Sequence, residues 1–275
     1  MNILETIVEQ KKKEVAEKKA IMDVDFLKLL NDDFERKGLS LKEKLFNGEP
    51  NIIAEFKRKS PSKGWMSEGI HVSEVIPDYE EHGAAAISVL TDKEFFGGEL
   101  EELKIARLEV EIPLLRKDFM IDEFQLYEAN SYGADIILLI AACLSKEQVQ
   151  QLAQKAKELQ LEVLLEIHSE KEIECICDEV DIIGINNRSL ETFVTDIQTS
   201  VQLIEHLPKD KPVISESGIS DVDTIINLYN IGFRGFLIGE TFMKAPKPAI
   251  AFADFMKALQ TSLKGVSRKG HSVNY

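Results

Sequence analysis

The chain has 275 residues, of which 44% are hydrophobic and 29% are charged, and its formal net charge is −15. These values are typical of a globular protein, and the negative charge argues against nucleic acid as a partner because a phosphate backbone binds positive surfaces. The longest apolar run, from Ile136 to Leu144, is too short to cross a membrane.

The N-terminus and the cysteines predict a cytoplasmic protein. No continuous apolar segment of the kind found in secretory signals follows Met1. Cys143, Cys175 and Cys177 cannot all pair, and no second cysteine pair completes a zinc site. Four histidines also have no partner at ligand spacing, namely His71, His82, His206 and His271. We therefore expect reduced thiols and no metal site.

Residues 1–48 are predicted to form a helical extension. Ile3, Leu4, Ile7 and Val15 follow the spacing of one helical face, with lysines and glutamates between them. No strand pattern appears before residue 51, so the extension precedes the main body of the fold.

From residue 49 to residue 263, strand-like and helix-like segments alternate. Eight strands are expected to begin near Asn51, Ala84, Ile112, Asp135, Leu161, Val180, Pro212 and Gly235. Amphipathic segments separate them, and Ala249 to Leu263 forms the last predicted helix. Residues 264–275 are a polar tail, and no linker divides the chain. The sequence thus predicts one α/β domain, a (β/α)8 TIM barrel with an N-terminal helical extension.

An open, doubly wound sheet is the competing architecture. It would carry the same alternation of strands and helices. The chain has no Gly-x-Gly-x-x-Gly motif after the first predicted strand and no antiparallel edge strand. Both absences favour closure into a barrel.

Most of the predicted strands are apolar and end in a polar or ionisable side chain. Alternate residues share one face of a strand, so the second face of the first strand, with Ile52, Ala54 and Phe56, suits packing under helices. In the fifth strand Glu162 is an exception, because it lies near the bottom of the inward face. In a barrel the inward strand-end groups converge on one pocket: Glu55, Lys57, Lys117, Glu166, Asn186 and Glu216. The alternative is a set of unrelated, solvated surface groups.

Two turns predict a phosphate site. Glu216-Ser217-Gly218 follows the seventh strand, and Gly239-Glu240 ends the eighth, where barrels often bind phosphate through backbone N–H groups. A plain turn is the alternative for each. Several cations near the strand ends are expected to make a local anion site: Arg58, Lys59, Lys63, Arg116, Lys117 and Arg188. His168, two residues beyond Glu166, is interpreted as a neighbour of the site rather than a catalytic group.

Six segments together resemble the indole-3-glycerol phosphate synthase family. They occur in the family's order and span the whole predicted barrel: Ala54–Gly64, Leu115–Phe119, Leu165–His168, Ile183–Leu190, Ser215–Ile219 and Phe236–Glu240. The helical extension before the first strand is also a family feature. The resemblance implies a decarboxylating ring closure and dehydration of 1-(2-carboxyphenylamino)-1-deoxyribulose 5-phosphate in tryptophan biosynthesis, without a cofactor or metal. The expected partner is this small anionic phosphate, and a monomer is compatible with the sequence.

The resemblance also implies roles for the strand-end groups. Lys117 would be the general acid at the ketone oxygen, and Glu166 would transfer protons in the later steps. Lys57 would bind the substrate carboxylate, and either lysine would be the acid for dehydration. Glu55, Asn186 and Glu216 would orient the lysines and the sugar hydroxyls.

The same resemblance implies the residues that bind substrate. Ser60 would bind the substrate, and the slot for its aniline ring would be framed by Phe96, Phe119, Leu138, Arg188 and Leu190. The phosphate would be held by Ser217, Gly218, Gly239 and Glu240. Some family members have a serine at the Glu240 position, so the expected contact there is the backbone N–H.

Two other functions compete with this one. A sugar-phosphate isomerase or epimerase would share the turns after strands seven and eight, but it would not need the Glu-x-Lys, Lys-Asp-Phe and Leu-Glu-Ile-His set. A barrel that binds ligand without turnover would not need Lys57, Lys117 and Glu166 together.

Overall fold

The computed structural model describes residues 3–30, 38–189, 192 and 194–270. Eight parallel strands form a closed barrel in which each strand pairs with the next and the last pairs with the first. In chain order they are β1 (Asn51–Phe56), β2 (Ala86–Leu90), β3 (Leu114–Lys117), β4 (Ile136–Ile140), β5 (Glu162–Ile167), β6 (Ile182–Asn186), β7 (Val213–Glu216) and β8 (Gly235–Ile238). The prediction of a closed barrel is therefore confirmed, and the open sheet is excluded.

Eleven α-helices occur in the described part of the chain. They are α1 (Ile3–Ile21), α2 (Val24–Leu29), α3 (Leu41–Leu45), α4 (Ile76–Glu81), α5 (Leu100–Glu109), α6 (Glu123–Ser131), α7 (Lys146–Glu158), α8 (Gln198–Leu203), α9 (Val222–Asn230), α10 (Glu240–Met243) and α11 (Pro248–Gly270). The segment after β5, expected as a helix, is the 3-10 helix Glu170–Cys175. The last helix ends at Gly270 rather than at Leu263. None of the described helices has the length and apolar character of a membrane span.

Two layers of apolar side chains stabilise the barrel. The outward faces of the strands, including Ile52, Ala54 and Phe56, pack under the surrounding helices, as the period of two predicts. The inward residues, such as Ile53 and Leu164, fill the lumen together with residues of the extension. All three cysteines are free thiols, as predicted.

The N-terminal extension contacts both ends of the barrel. At the end where the strands begin, the Glu162 carboxylate accepts hydrogen bonds from Leu41 N (2.9 Å) and Lys42 N (3.1 Å) and from the hydroxyl of Ser40. Glu162, the exception in the inward pattern, thus binds the first N–H groups of α3. At the opposite end α1 lies across the barrel, with Ile7, Lys11 and Val15 buried.

Candidate active site

A cavity of about 590 Å³ opens at the carboxyl ends of the strands. Among the described residues, it is lined by every residue predicted for the site except Ser60. The lining group consists of Glu55, Lys57, Phe96, Lys117, Phe119, Leu138, Glu166, Asn186, Arg188, Glu216, Ser217, Gly218, Gly239 and Glu240. Leu190 lies outside the described residues. The structure thus brings together side chains that are remote from one another in the sequence.

Ser60 does not line this cavity, although the sequence placed it against the substrate. It pairs with Gly64 in a short antiparallel hairpin formed by Lys59–Ser60 and Gly64–Trp65, and it is buried there. The hairpin reverses the chain, so its tip residues Ser62 and Lys63 line the cavity instead.

Lys117 lies at the centre of the charged wall. Its Nζ is 3.4 Å from Glu166 Oε2 and 3.7 Å from Glu216 Oε2. Burial alone would lower the pKa of Lys117, but the carboxylates of Glu166, Glu216 and Glu55 outweigh it and raise the pKa above the usual value. The ammonium group is therefore held in its charged form, the form needed to give up a proton.

Glu216 is fully enclosed, with 1% of its surface exposed. Burial raises the pKa of its carboxyl group, repulsion from Glu166 adds to this, and Lys117 only partly compensates. The close approach is possible because Gly184 on β6 has no side chain: a Cβ there would lie 2.2 Å from Glu216 Oε1. The glycine of β6 thus makes room for the carboxyl group of β7.

A second lysine, Lys57, extends from β1 into the same cavity. Its Nζ is 2.7 Å from Glu55 Oε1. Gly239 leaves the space for this pair, since a Cβ at Gly239 would lie 2.5 Å from Glu55 Oε1. Gly239 therefore has a packing role in addition to its predicted place at the phosphate site.

Glu166 is held from two sides. Its Oε2 faces Lys117, and its Oε1 lies 3.3 Å from His168 Nε2. Burial would raise the pKa of Glu166, but Lys117, His168 and a hydrogen bond from Asn186 lower it, so the carboxylate is charged. Asn186 Oδ1 in turn accepts a hydrogen bond from Arg188 N (3.0 Å), which fixes the amide.

The turn after β7 has an unusual backbone. Ser217 and Gly218 adopt φ values of 66° and 75°, in the left-handed region that side chains other than glycine, asparagine and aspartate rarely enter. Asn187, which the sequence analysis did not single out, fixes this turn by donating from Nδ2 to Ser217 O (3.0 Å) and to Ser215 Oγ (3.0 Å). Strain of this kind is concentrated at functional sites.

The turn after β8 leads into the short helix α10, and Lys244 at its C-terminus lines the cavity. The sequence analysis missed this cation because it lies beyond the recognised turn. The Glu240 carboxylate is 3.4 Å from Arg188 Nη2. Arg188 was predicted beside the aromatic ring of the substrate. In the structure it also pairs with the carboxylate of Glu240, in the turn after β8.

The opposite wall is apolar. The rings of Phe96 and Phe119 lie 6.0 Å apart, and Leu138 completes this surface. Three residues of α1 also line the cavity and form a roof: Ile3, Leu4 and Ile7. Their helical spacing predicted the helix, but nothing in the sequence placed it over the site.

The predicted cluster of six cations is only partly correct. Lys63, Lys117 and Arg188 line the cavity, whereas Arg58 donates to Gly97 O (2.6 Å) and pairs with Glu102 (3.0 Å) outside it. Arg116 is buried among the helices because it alternates with Lys117 along β3 and so faces the other way.

One surface group differs from the sequence interpretation of the histidines. Asp78, Glu81 and His82 on α4 bring three potential ligand atoms within 4.8 Å of one another. They lie on the outside of the barrel and are not part of the cavity lining.

The fold and the cavity agree with what is found in known proteins. The sequence profile of the indole-3-glycerol phosphate synthase family matches residues 4–255. The chain belongs to this family. An indole-3-glycerol phosphate synthase of Bacteroides thetaiotaomicron is 53% identical over 221 residues, which are 80% of this chain and 85% of that protein. Another, of Caldanaerobacter subterraneus subsp. tengcongensis, is 43% identical over 259 residues, covering 94% and 99%.

More distant structures share the fold alone. The crystal structure of 3-hexulose-6-phosphate synthase from Salmonella typhimurium superposes with a TM-score of 0.60 at 13% identity, covering 77% of this chain and 99% of that chain. The family assignment makes this chain a decarboxylating lyase of tryptophan biosynthesis. It also decides against the sugar-phosphate isomerase and the non-catalytic barrel.

Proposed function

We propose that the chain closes the indole ring of 1-(2-carboxyphenylamino)-1-deoxyribulose 5-phosphate in this cavity, with Lys117 as the general acid. The observation that carries the proposal is the position of Lys117: a buried ammonium group beside Glu166 and Glu216, between an apolar wall and two glycine-containing turns. The aromatic end of the substrate fits the apolar wall, and the phosphate fits the turns after β7 and β8.

In the first step Lys117 protonates the ketone oxygen of the sugar chain. The carbonyl carbon then becomes electrophilic, and the ring carbon that carries the carboxylate attacks it. Lys57, which follows β1 and lines the same cavity, binds that carboxylate. Orientation of this flexible chain can supply ~7–11 kcal/mol of the barrier reduction.

In the second step the carboxylate leaves as carbon dioxide, and its bonding electrons restore the aromatic ring. The new hydroxyl group is then protonated by Lys57 or Lys117 and leaves as water, while Glu166 removes the proton from the carbon beside the nitrogen. Glu55, Asn186 and Glu216 keep these groups in position.

The phosphate is held by the backbone at Ser217, Gly218, Gly239 and Glu240. Lys244 adds a positive charge at this end of the cavity. The Glu240 side chain is not needed for phosphate binding. Its negative charge is paired with the guanidinium group of Arg188.

The purified chain should convert the anilino-deoxyribulose phosphate into a product with indole absorbance and fluorescence. One equivalent of carbon dioxide should appear for each indole formed. Binding of the substrate without a spectral change would refute catalysis and favour a barrel that only binds the ligand.

A further inference from the structure

The proposed reaction consumes one proton in each turnover. The substrate enters as a carboxylate and leaves as neutral carbon dioxide. Two protons are added to the ketone oxygen, which departs as water, and one proton is removed from the carbon beside the nitrogen. One proton must therefore reach the buried acid from water before the next cycle. Lys117 has 16% of its side chain exposed, beneath a cavity roofed by Ile3, Leu4 and Ile7.

A continuous series of contacts leads away from Lys117. Glu166 Oε2 is 3.4 Å from Lys117 Nζ, and Glu166 Oε1 is 3.3 Å from His168 Nε2. The other ring nitrogen, His168 Nδ1, is 3.4 Å from Glu172 Oε2. Exposure increases along this series, from 2% for the side chain of Glu166 to 19% for that of Glu172.

The series crosses the wall between two cavities. Glu166 lines the catalytic cavity, whereas His168 and Glu172 line a second cavity of about 570 Å³. Asn186 and Arg188 line both, so the two cavities are neighbours. The contact between Glu166 and His168 therefore joins the interior of the site to a separate space with polar walls.

We propose that His168 returns the consumed proton to Lys117 through Glu166, and that Glu172 positions the imidazole ring for this transfer. The inference rests on the proposed function. The Nε2–H bond of His168 breaks as an O–H bond forms on Glu166 Oε1, and the carboxyl group then turns and gives this same proton to the neutral amine of Lys117. Water that enters from the second cavity then returns a proton to Nε2.

Glu172 is well placed to fix the ring. It accepts hydrogen bonds from His168 N (2.7 Å) and Ser169 Oγ (3.2 Å), so its carboxylate is held at one place. With Nδ1 3.4 Å from Glu172 Oε2, the ring is oriented so that Nε2 faces Glu166. The contact of Nδ1 with Glu172 thus orients the ring so that Nε2 gives its proton to Glu166.

The charges around His168 favour this direction. Burial would lower its pKa, but Glu166 from β5 and Glu172 from the following 3-10 helix raise the pKa to about 10. The pKa of Lys117 is raised above its usual 10.5, so the overall transfer from the imidazolium to the amine is downhill, and the protonated form of Glu166 is short-lived because its pKa is lowered. Cys143, after β4, interacts with the same two carboxylates, and burial raises its pKa to about 12, so its thiol stays neutral.

The test compares the first turnover with later turnovers. In rapid mixing, the wild-type chain should form indole at one constant rate. His168→Asn should give a first ring closure, read from the first equivalent of carbon dioxide, at the wild-type rate, because Lys117 begins charged. The steady state of indole formation should then be about tenfold slower or more. Added imidazole should restore the later turnovers. Glu172→Gln should show the same pattern more weakly.

The control is His206→Asn, which alters the histidine at the end of the 3-10 helix Ile204–His206, outside both cavity linings. It should leave both phases unchanged. His168→Gln is the second variant if the first folds poorly. An unchanged steady state, or equal slowing of both phases without imidazole rescue, would overturn the relay. A wild-type chain that forms no indole would instead refute the proposed function.

Discussion

Two clusters of charges meet at the end of strand β3, and they differ in the length of their ion-pair contacts. We call them the catalytic cluster, which consists of Glu55, Lys57, Lys117, Glu166 and Glu216, and the clamp cluster, which consists of Lys11, Asp92, Arg116, Asp118 and Glu128. Three consecutive residues at the end of β3 contribute to them: Arg116 is buried beneath the helices, Lys117 faces into the lumen, and Asp118 lines the cavity beside it.

In the clamp cluster the contacts are short and numerous. Lys11 Nζ lies 2.9 Å from Asp92 Oδ2 and 2.9 Å from Asp118 Oδ1. The other oxygen of Asp118 accepts hydrogen bonds from Thr91 Oγ1 (2.7 Å) and Arg116 Nη2 (3.3 Å). Lys11 belongs to α1, so these pairs hold the roof helix against the ends of β2 and β3.

In the catalytic cluster the central contacts are longer. Lys117 Nζ lies 3.4 Å from Glu166 Oε2 and 3.7 Å from Glu216 Oε2. Buried charges that are closely paired fix a conformation, whereas loosely paired charges leave room for substrate atoms. Burial of a charge therefore does not by itself indicate catalysis. A buried charge with long contacts to its partners does.

The largest effect should come from the catalytic cluster. Lys117→Ala removes the group that protonates the ketone, so kcat should fall by about 10³-fold or more. Helicity in circular dichroism should be unchanged, because Lys117 extends into the cavity and its loss leaves the packed strands and helices in place. A loss of helicity that parallels the loss of activity would make Lys117 structural and would break the comparison.

The sequence predicted the catalytic cluster but not the clamp cluster, for a physical reason. Two general rules locate the catalytic groups: alternation along a strand, and convergence of parallel strand ends. Lys11, by contrast, is the first of three consecutive lysines in a helix, and its sequence context is that of a solvent-exposed lysine. Only the fold shows that Lys11 continues the buried stripe of Ile7 and Val15 and meets Asp92 and Asp118.

The other errors have the same origin. The barrel and its strand positions follow from local patterns, and so does the turn at Ser217. The position of Ser60 outside the cavity lining could not be predicted, because two-residue strands have too little pattern to indicate a hairpin. Arg116 was misplaced because its charge was weighed without its position in the alternation. The proposed role of His168 could not be predicted from the sequence, because its contact with Glu172 and the second cavity are formed only by tertiary packing.

The second effect should come from the clamp cluster. Lys11→Met leaves buried carboxylates without their cation, and we expect a loss of about 3–5 kcal/mol in the free energy of unfolding. The matched control is Lys19→Met, because Lys19 also joins α1 to the barrel, through an exposed pair with Asp122 at 2.9 Å. That exposed pair should contribute less than ~1 kcal/mol.

The double variant Lys11→Met/Asp92→Asn should recover part of the loss, because it removes one of the unpaired charges. Chemical denaturation of the four proteins measures all of these differences. If Lys11→Met and Lys19→Met destabilise the fold equally, the clamp cluster contributes no more than an ordinary surface pair, and the comparison fails on this side.

The smallest effect is on the pH dependence of stability. The slope of the free energy of unfolding against pH should have opposite signs for the two clusters. Burial would raise the pKa of Asp118, but Lys11 and Arg116 lower it from 3.8 to about 2. The folded state therefore binds this proton less readily than the unfolded state, and the contribution of Asp118 to stability is present above about pH 4. It is lost as the pH falls towards 2, by about 2 kcal/mol.

Glu216 of the catalytic cluster should show the opposite slope. Its pKa is raised from 4.5 by burial and by Glu166, so the folded state keeps a proton that the unfolded state has lost. The contribution of Glu216 to stability therefore decreases as the pH rises above about 4.5. Unfolding of the wild type, Asp118→Asn and Glu216→Gln across pH measures both terms. The difference between wild type and Asp118→Asn should shrink in acid, whereas that between wild type and Glu216→Gln should shift in favour of the variant towards neutral pH. Slopes of the same sign would mean that the two clusters are electrostatically alike.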